Sequence, residues 1–315
     1  NPGLGNVLAI ACVSLPLTSF AGIQTALFRR DFDFKKLFYV RILNICIPLL
    51  VTIPIAIIIH SYWALIIGTI FTNLSNAVVL TYYSKWKPRL FYSFSLLKDM
   101  LNFSVWALLE QLIGWMNLYI GIFIVGAFLS SYYLGIYKTS MGIVNQILAL
   151  ITGAISPVLF SGLCRLFNNR DAFNYMFFRF TRLTGLIALP IGVGIFVYRD
   201  FITNVLLGNQ WIDAAGFISI WGLTRAFRIS YGFFSNDVFL SLGKPRFSVL
   251  SQLLEMIILV PVLIISLSYG FEILCIARSM TQIVAILVDL MLLRLVAGLS
   301  AIRILKDSLP ALIAA

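Results

Sequence analysis

Arg225 and Arg228 stand one helical turn apart in a largely apolar stretch, WIDAAGFISIWGLTRAFRISYGFFSNDVFLSLGKPR, from Trp211 to Arg246. Two cations so close repel each other unless something negative lies beside them, and a guanidinium inside a bilayer costs several kcal/mol. The chemistry such a pair offers is anion recognition, because the planar, always-charged guanidinium matches phosphate oxygens bidentately. At roughly 100° per residue, Arg225, Arg228, Gly232, Ser235 and Asn236 share about a third of a helix's circumference, and Asp237 falls off that face.

Four further apolar stretches carry polar stripes at helical spacing. Trp106, Glu110, Gly114, Asn117 and Gly121 form one; Lys138, Gly142, Asn145, Ala149, Thr152 and Ser156 form a second. Ser248, Gln252, Glu255, Val262 and Ser266 align less tightly, and Arg278, Gln282, Ala285 and Asp289 share a face. Together these predict a polar chamber with Arg225, Arg228, Arg278 and Lys138 as cationic substrate-binding positions. Glu110, Asn117, Asn145, Gln282 and Asp289 are its polar lining and its candidates for coupling to an ion. Each has a plainer reading. Lys138 and Arg278 lie near helix ends from which they can snorkel to headgroups, Glu110 can neutralise an arginine on another helix, and Asp289 can pair with Arg294. Asn, Ser, Thr and small positions serve helix packing as readily as a ligand.

The elements that carry these residues are membrane-spanning helices. Of 315 residues, 61% are hydrophobic and only 11% charged, whereas a soluble domain keeps about a quarter charged. Long apolar runs separated by short polar ones predict an all-α polytopic membrane protein rather than a barrel. About nine spans follow: residues 7–28, 37–59, a third ending near Tyr83, 103–128, 136–160, 180–197, the Arg225 stretch, 247–267 and 273–295. Pro16, Pro48, Pro54, Pro190 and Pro261 fall within spans, where they can bend helices or simply kink them. The segment SKWKPRLFYSFSLLKDM, from Ser84 to Met100, reads as a basic, aromatic interfacial stretch.

The net charge of +11 does not point to nucleic acid, because the bases are sorted by side of the membrane. One side collects Arg29, Arg30, Lys35, Lys36, Lys85, Lys87, Arg89, Lys98, Arg165, Arg170, Lys244, Arg246, Arg303 and Lys306; the other offers little beyond Arg199 beside Asp200. That asymmetry places the first side in the cytoplasm. Four scattered cysteines and a lone His60 suit neither a metal site nor a disulfide framework. No phosphate-binding loop, dinucleotide fingerprint or hydrolase motif is present, which argues against an enzyme and against a cofactor. The first residues, NPGLGNVLAI, do not form a signal peptide, and both ends read as cut, so the chain is expected to be a piece of a longer one.

The order of FRRDFDFKKL, NFSVWALLEQLIGWMN, LGIYK, VLLGNQW, IWGLTRAFR and LGKPR resembles the polysaccharide flippases of the MOP exporter superfamily, which translocate O-antigen, capsule or exopolysaccharide units in lipopolysaccharide and related pathways. The resemblance implies two helix bundles in a V. Residues 1–98 would be the end of the N-terminal bundle, 99–295 the C-terminal six-helix bundle, and 296–315 the start of a further span. It implies an undecaprenyl-diphosphate-linked oligosaccharide as substrate, flipped across the bacterial inner membrane by alternating access. Coupling to H+ or Na+ and association with a polysaccharide polymerase complex belong to the same expectation. Two other readings stay open: a multidrug or metabolite antiporter of that superfamily, which would want an acidic cavity, and a non-transport scaffold or synthase of polysaccharide assembly.

Overall fold

The computed structural model describes residues 4–61, 63–84 and 93–305. The basic positions Lys85, Lys87 and Arg89, and the run 306–315 with Lys306, lie outside the described residues. The chain divides into two units, 1–92 and 93–315.

In the first unit, α1 (Leu4–Ala11) turns at Cys12 and Val13 into α2 (Ser14–Arg30). Asp33 then caps α3 (Phe34–Ile47), accepting from the Lys36 amide at 3.4 Å and pairing with its ammonium at 2.7 Å. The pairing holds the Asp33 carboxyl below the usual carboxylate range. A π-helical turn at Pro48–Thr52 carries α3 into α4 (Ile53–Ile59). It sits between Pro48 and Pro54, each of which removes an amide donor from the helical ladder. His60 closes α4 in the left-handed conformation, and α5 (Trp63–Tyr83) returns through the middle of the unit. Gln24 of α2 is fully buried and donates to Thr81 of α5 at 2.8 Å. Ala21, Phe28, Val40, Ala77 and Leu80 make a small core, while many other large apolar side chains face outward, as a lipid solvent permits.

The second unit contains α6 (Phe94–Phe128), α7 (Ser131–Arg165), α8 (Arg170–Val197), α9 (Arg199–Leu207), α10 (Ala215–Tyr231), α11 (Ser235–Ser241), α12 (Pro245–Leu267) and α13 (Phe271–Ala297). Asn169 caps α8 through the Ala172 amide at 3.1 Å, and Gly298 ends α13 at φ 65°. α8 begins ten residues earlier than the 180–197 expectation, absorbing the presumed link as helix. The Phe94–Met100 part of the expected interfacial stretch likewise continues directly into α6.

α10 is the central helix, packed on α7, α8 and α13. It can come close to α8 because of small residues: a Cβ at Gly192 would collide with Ala226, and one at Gly222 with Ile195. Two aromatic-rich cores flank it. One joins Tyr137, Phe217, Trp221 and Leu259; the other, toward the basic loops, joins Phe177, Phe239, Leu290 and Leu293. On α13 the two are separated by the polar run from Arg278 to Gln282.

Among the described residues, eight helices are long and apolar enough to cross a membrane. The stretch expected as one continuous seventh span is different. It forms a 3-10 turn at Asn209–Ala214, then α10, then a break at Gly232–Phe234, then α11. No proline causes this break. The Gly232 and Phe233 amides both bond back to the Arg228 carbonyl at 2.9 Å, and a Cβ on Gly232 would stand 2.9 Å from Asp289 Oδ2. Any side chain larger than glycine's would meet that carboxylate.

Candidate functional site

Within the second unit a cavity of about 310 Å³ opens between α6, α7, α10, α11, α12 and α13. The stripes read from the sequence supply much of its wall: Glu110 and Asn117 from α6, Asn145 and Ser156 from α7, Arg225 and Arg228 from α10, Gln252 and Glu255 from α12, Arg278 and Gln282 from α13. Each contributes from one helical face, so the spacing that marked them is the spacing that aims them inward.

The three arginines are in different electrostatic situations. Arg228 is clamped: its Nη2 lies 3.2 Å from Glu255 Oε2 and 3.0 Å from Asp289 Oδ2. Asp289, 1% exposed, also accepts from Ser251 Oγ at 2.6 Å and is not a lining residue. The sequence offered Asp289 as a lining and ion-coupling candidate, with Arg294 or a loop base as its plainer partner; the structure pairs it with Arg228. Arg225 makes no ion pair among the described residues and donates from Nη1 only to the neutral Gln282 Oε1, at 3.2 Å. Arg278 does not snorkel. It is 3% exposed, lies 4.9 Å from the Trp221 ring centroid, and donates to Thr281 Oγ1 at 3.0 Å. Its charge is met by an aromatic face rather than a carboxylate.

Carboxylates gather elsewhere on the wall. Glu110 accepts from Asn236 Nδ2 at 3.1 Å and Gln111 Nε2 at 2.8 Å, with no arginine paired to it among the described residues. Asp237 accepts from Ser156 Oγ at 2.8 Å. The sequence placed Asp237 off the polar face of a continuous helix; the break at Gly232 re-aims α11 so that Asn236 and Asp237 both line the cavity. Counted along the helices from the end opposite the basic loops, Arg278 lies about two turns down and Glu110 about five. Arg278 therefore stands toward one end of the cavity and Glu110, with Asp237, toward the other, and the Arg228–Glu255 pair lies between them.

Several polar atoms on the wall lack a protein partner: Trp221 Nε1, Arg228 Nη1, Asn117 Oδ1 and Asn145 Oδ1. Buried polar atoms are rarely left unsatisfied, because each costs about 1–3 kcal/mol without a partner. Water or a polar ligand in the cavity would satisfy them. Asn117 itself is held by two bonds from Nδ2 to Gln252, to its carbonyl and its side-chain oxygen, both 2.9 Å.

A model of the family described as polysaccharide biosynthesis protein matches residues 1–216. The chain belongs to that family. The match ends at Gly216, before Arg225, so it does not itself speak to the arginines. This polysaccharide biosynthesis protein is 22% identical over 247 residues to an uncharacterized membrane protein in the cps region of Klebsiella pneumoniae, covering 76% of the chain and half of that relative. Its fold is similar to that of a multidrug resistance MATE family transporter of the MOP superfamily in an outward-facing conformation, with TM-score 0.77, 12% identity, and coverage of 93% of this chain and 69% of that one. It is similar too to the lipid II flippase MurJ in an inward closed conformation, with TM-score 0.65, 16% identity, and coverage of 98% and 66%. The polysaccharide biosynthesis protein is thus a multi-pass membrane protein with a MOP transporter fold, spanning about half the length of the relative it matches.

Two sequence candidates, Lys138 and Asp289, are not on the cavity wall of this family member; Asp289 lies behind it, paired with Arg228. Lys138 is exposed, because Ile136, Tyr137, Ser140 and Met141 take the buried face at that end of α7. Trp221, Asn236, Asp237 and Glu255 line the cavity without having been put forward as site residues. Glu255 lay in a polar stripe and was legible; Trp221 reads from sequence only as an aromatic core position.

Proposed function

We propose that the chain is part of a transporter that moves undecaprenyl-diphosphate-linked oligosaccharide across the bacterial inner membrane by alternating access, without covalent chemistry. The observation that carries this reading is a pair of guanidinium groups, Arg225 and Arg278, on the wall of a membrane-embedded cavity with no carboxylate partner among the described residues. An anion between them would relieve their mutual repulsion and take bidentate bonds from either. Enclosing a diphosphate among polar groups removes most of the cost of dragging it through hydrocarbon. Membership of the polysaccharide biosynthesis family and the fold shared with a lipid II flippase support the same substrate class.

The roles within the cavity differ from residue to residue. Arg225 and Arg278 receive the headgroup, Gln282 and Asn145 orient it, and Arg228 holds the wall in shape through Glu255 and Asp289. If transport is coupled to H+ or Na+, Glu110 is the better placed of the two carboxylates first singled out, since Asp289 is committed to Arg228. A polysaccharide polymerase complex would be the natural recipient of the product. A cation antiporter is the second reading, favoured by Glu110 and Asp237 at the other end of the cavity.

The test replaces Arg225 and Arg278 with Gln in the full-length gene, expressed in a strain lacking it. Surface polysaccharide is expected to fall about tenfold or more while lipid-linked repeat units accumulate, with partial return in the Arg225→Lys, Arg278→Lys protein. Full restoration by the Gln variant at normal membrane levels would remove the anion site from the mechanism.

A further inference from the structure

A second cavity, of about 790 Å³, lies at the end of the second unit opposite the basic loops. It is framed by the start of α7, the end of α8, α9, the turn before α10, and the starts of α10 and α13. None of its residues was marked by the sequence stripes. We propose that it is a carbohydrate-binding subsite for the uncharged sugars of the transported headgroup, a reading that rests on the proposed function and extends it.

The lining has the two components that sugars require. The first is flat aromatic surface for their C–H faces: Tyr133 and Phe271 stand with ring centroids 4.7 Å apart and planes 32° from parallel, and Phe217 closes the floor. The second is a set of acceptors for hydroxyls. Asp200, Asp213 and Glu272 are exposed into the space, against the single guanidinium of Arg199, which lies 3.7 Å from Asp200. Asp213 already accepts a phenolic hydroxyl, that of Tyr132, the kind of bond a sugar hydroxyl would make. Three carboxylates around one arginine repel a diphosphate, so this pocket and the cationic cavity select different parts of one molecule. Aromatic residues also gather at membrane interfaces, but a headgroup belt does not need rings enclosed with three carboxylates.

Size and placement agree. The inner cavity, at about 310 Å³, is near the lower limit for a small-ligand site and suits a diphosphate rather than a repeat unit; the second is more than twice as large. They are stacked along the same helices. Phe217 lines one and Trp221 the other, one turn or about 6 Å apart on α10; Cys275 and Arg278 repeat the arrangement on α13. The partition between them is the stack of Tyr137 on Phe217 at 5.2 Å, with Trp221 and Arg278 next. A headgroup with its phosphates at Arg278 would have its sugars directed at this pocket once that stack parts.

The experiment uses the full-length protein in lipid nanodiscs and the phosphate-free repeat oligosaccharide released by mild acid from the source bacterium's lipid-linked pool. Saturation-transfer NMR reads binding. The sugar protons are expected to saturate on the wild type, and the dissociation constant to rise about tenfold or more in Tyr133→Ala with Phe271→Ala and in the conservative Glu272→Gln, Asp213→Asn pair. The polar pair keeps the test open if the aromatic variant does not fold. Absence of saturation on the wild type, or affinity unchanged in both variants, overturns the subsite. So does carboxylate-dependent binding of tetraphenylphosphonium with no saccharide binding, which would mark an organic-cation pocket. No saccharide binding to the wild type, together with the expected export defect of the Arg225, Arg278 variant, would retire this subsite alone; saccharide binding to the wild type that falls in the pocket variants, together with full export by the Arg225, Arg278 variant, would retire the anion site alone.

Discussion

Arg225 and Arg228 differ by one turn of helix and by everything that surrounds them. Arg228 sits between Glu255 and Asp289, so removing it leaves two largely buried carboxylates with no cation paired to them among the described residues. Breaking such a cluster from one side costs about 3–5 kcal/mol, mostly the penalty of the charge left behind. Arg228→Gln is therefore expected to lower the thermal unfolding midpoint of the purified protein sharply, and Arg228→Gln with Asp289→Asn to recover most of the loss. Arg225 holds only a neutral amide, a bond worth about 1 kcal/mol net, so Arg225→Gln is expected to change the midpoint little while it changes transport. Equal destabilisation by the two single variants would contradict this division of labour. The sequence showed two arginines on a common face; it could not show that one was already neutralised, because the neutralising carboxylates come from α12 and α13 and meet it only in the fold.

At the scale of elements, α10 works because it lies close against α8. Gly222 and Gly192 are the contact points, and a side chain at either would strike Ile195 or Ala226. Gly222→Val is expected to cost about 1–3 kcal/mol through overpacking, read as a lowered midpoint and lowered membrane yield. Gly194→Val, on the same α8 but with nothing within 4 Å of its added Cβ, is expected to be far milder; similar losses for both would mean that the close approach is not what stabilises the pair. Helices of this kind were plain in the sequence, since twenty apolar residues in a row admit few other structures in lipid. The polar stripes were equally legible, because a 3.6-residue period fixes which side chains share a face. What stayed hidden was where a helix stops being one helix. Gly232 caps the end of α10, but a lone glycine inside an apolar run does not announce a break, and what requires glycine there is Asp289, a residue 57 positions away that packs against it. With the break unseen, Asp237 was assigned to the wrong face. Lys138, which the sequence left between a lining role and a snorkelling one, is exposed at the end of its stripe, where Tyr137 takes the inward position.

For the whole molecule, the order of charged loops constrains the path of the chain more tightly than any single helix does. α8 starts at Arg170 among the bases and ends beside Arg199 and Asp200, while α12 starts at the Lys244–Arg246 turn, back among the bases. On the expected topology the chain crosses the membrane between those points, and beyond the nine-residue α9 and the 3-10 turn the helices there are α10, of 17 residues, and α11, of seven. At 1.5 Å per residue they rise about 25 Å and 10 Å, so together with the turn at Gly232 they reach across a hydrocarbon core of about 30 Å that α10 alone does not span. A broken helix is tolerated at that depth because its freed backbone groups face a polar cavity and protein rather than lipid. The crossing can be tested by placing single cysteines at Gln210 and Lys244, both exposed, in a protein from which Cys12, Cys46, Cys164 and Cys275 have been removed. A membrane-impermeant maleimide is expected to label Gln210→Cys from the outside of intact spheroplasts and Lys244→Cys only in inverted vesicles. Labelling of both from one side would turn α10 and α11 into a re-entrant loop, and the guanidinium groups and carboxylates would then no longer be arranged along a path through the membrane.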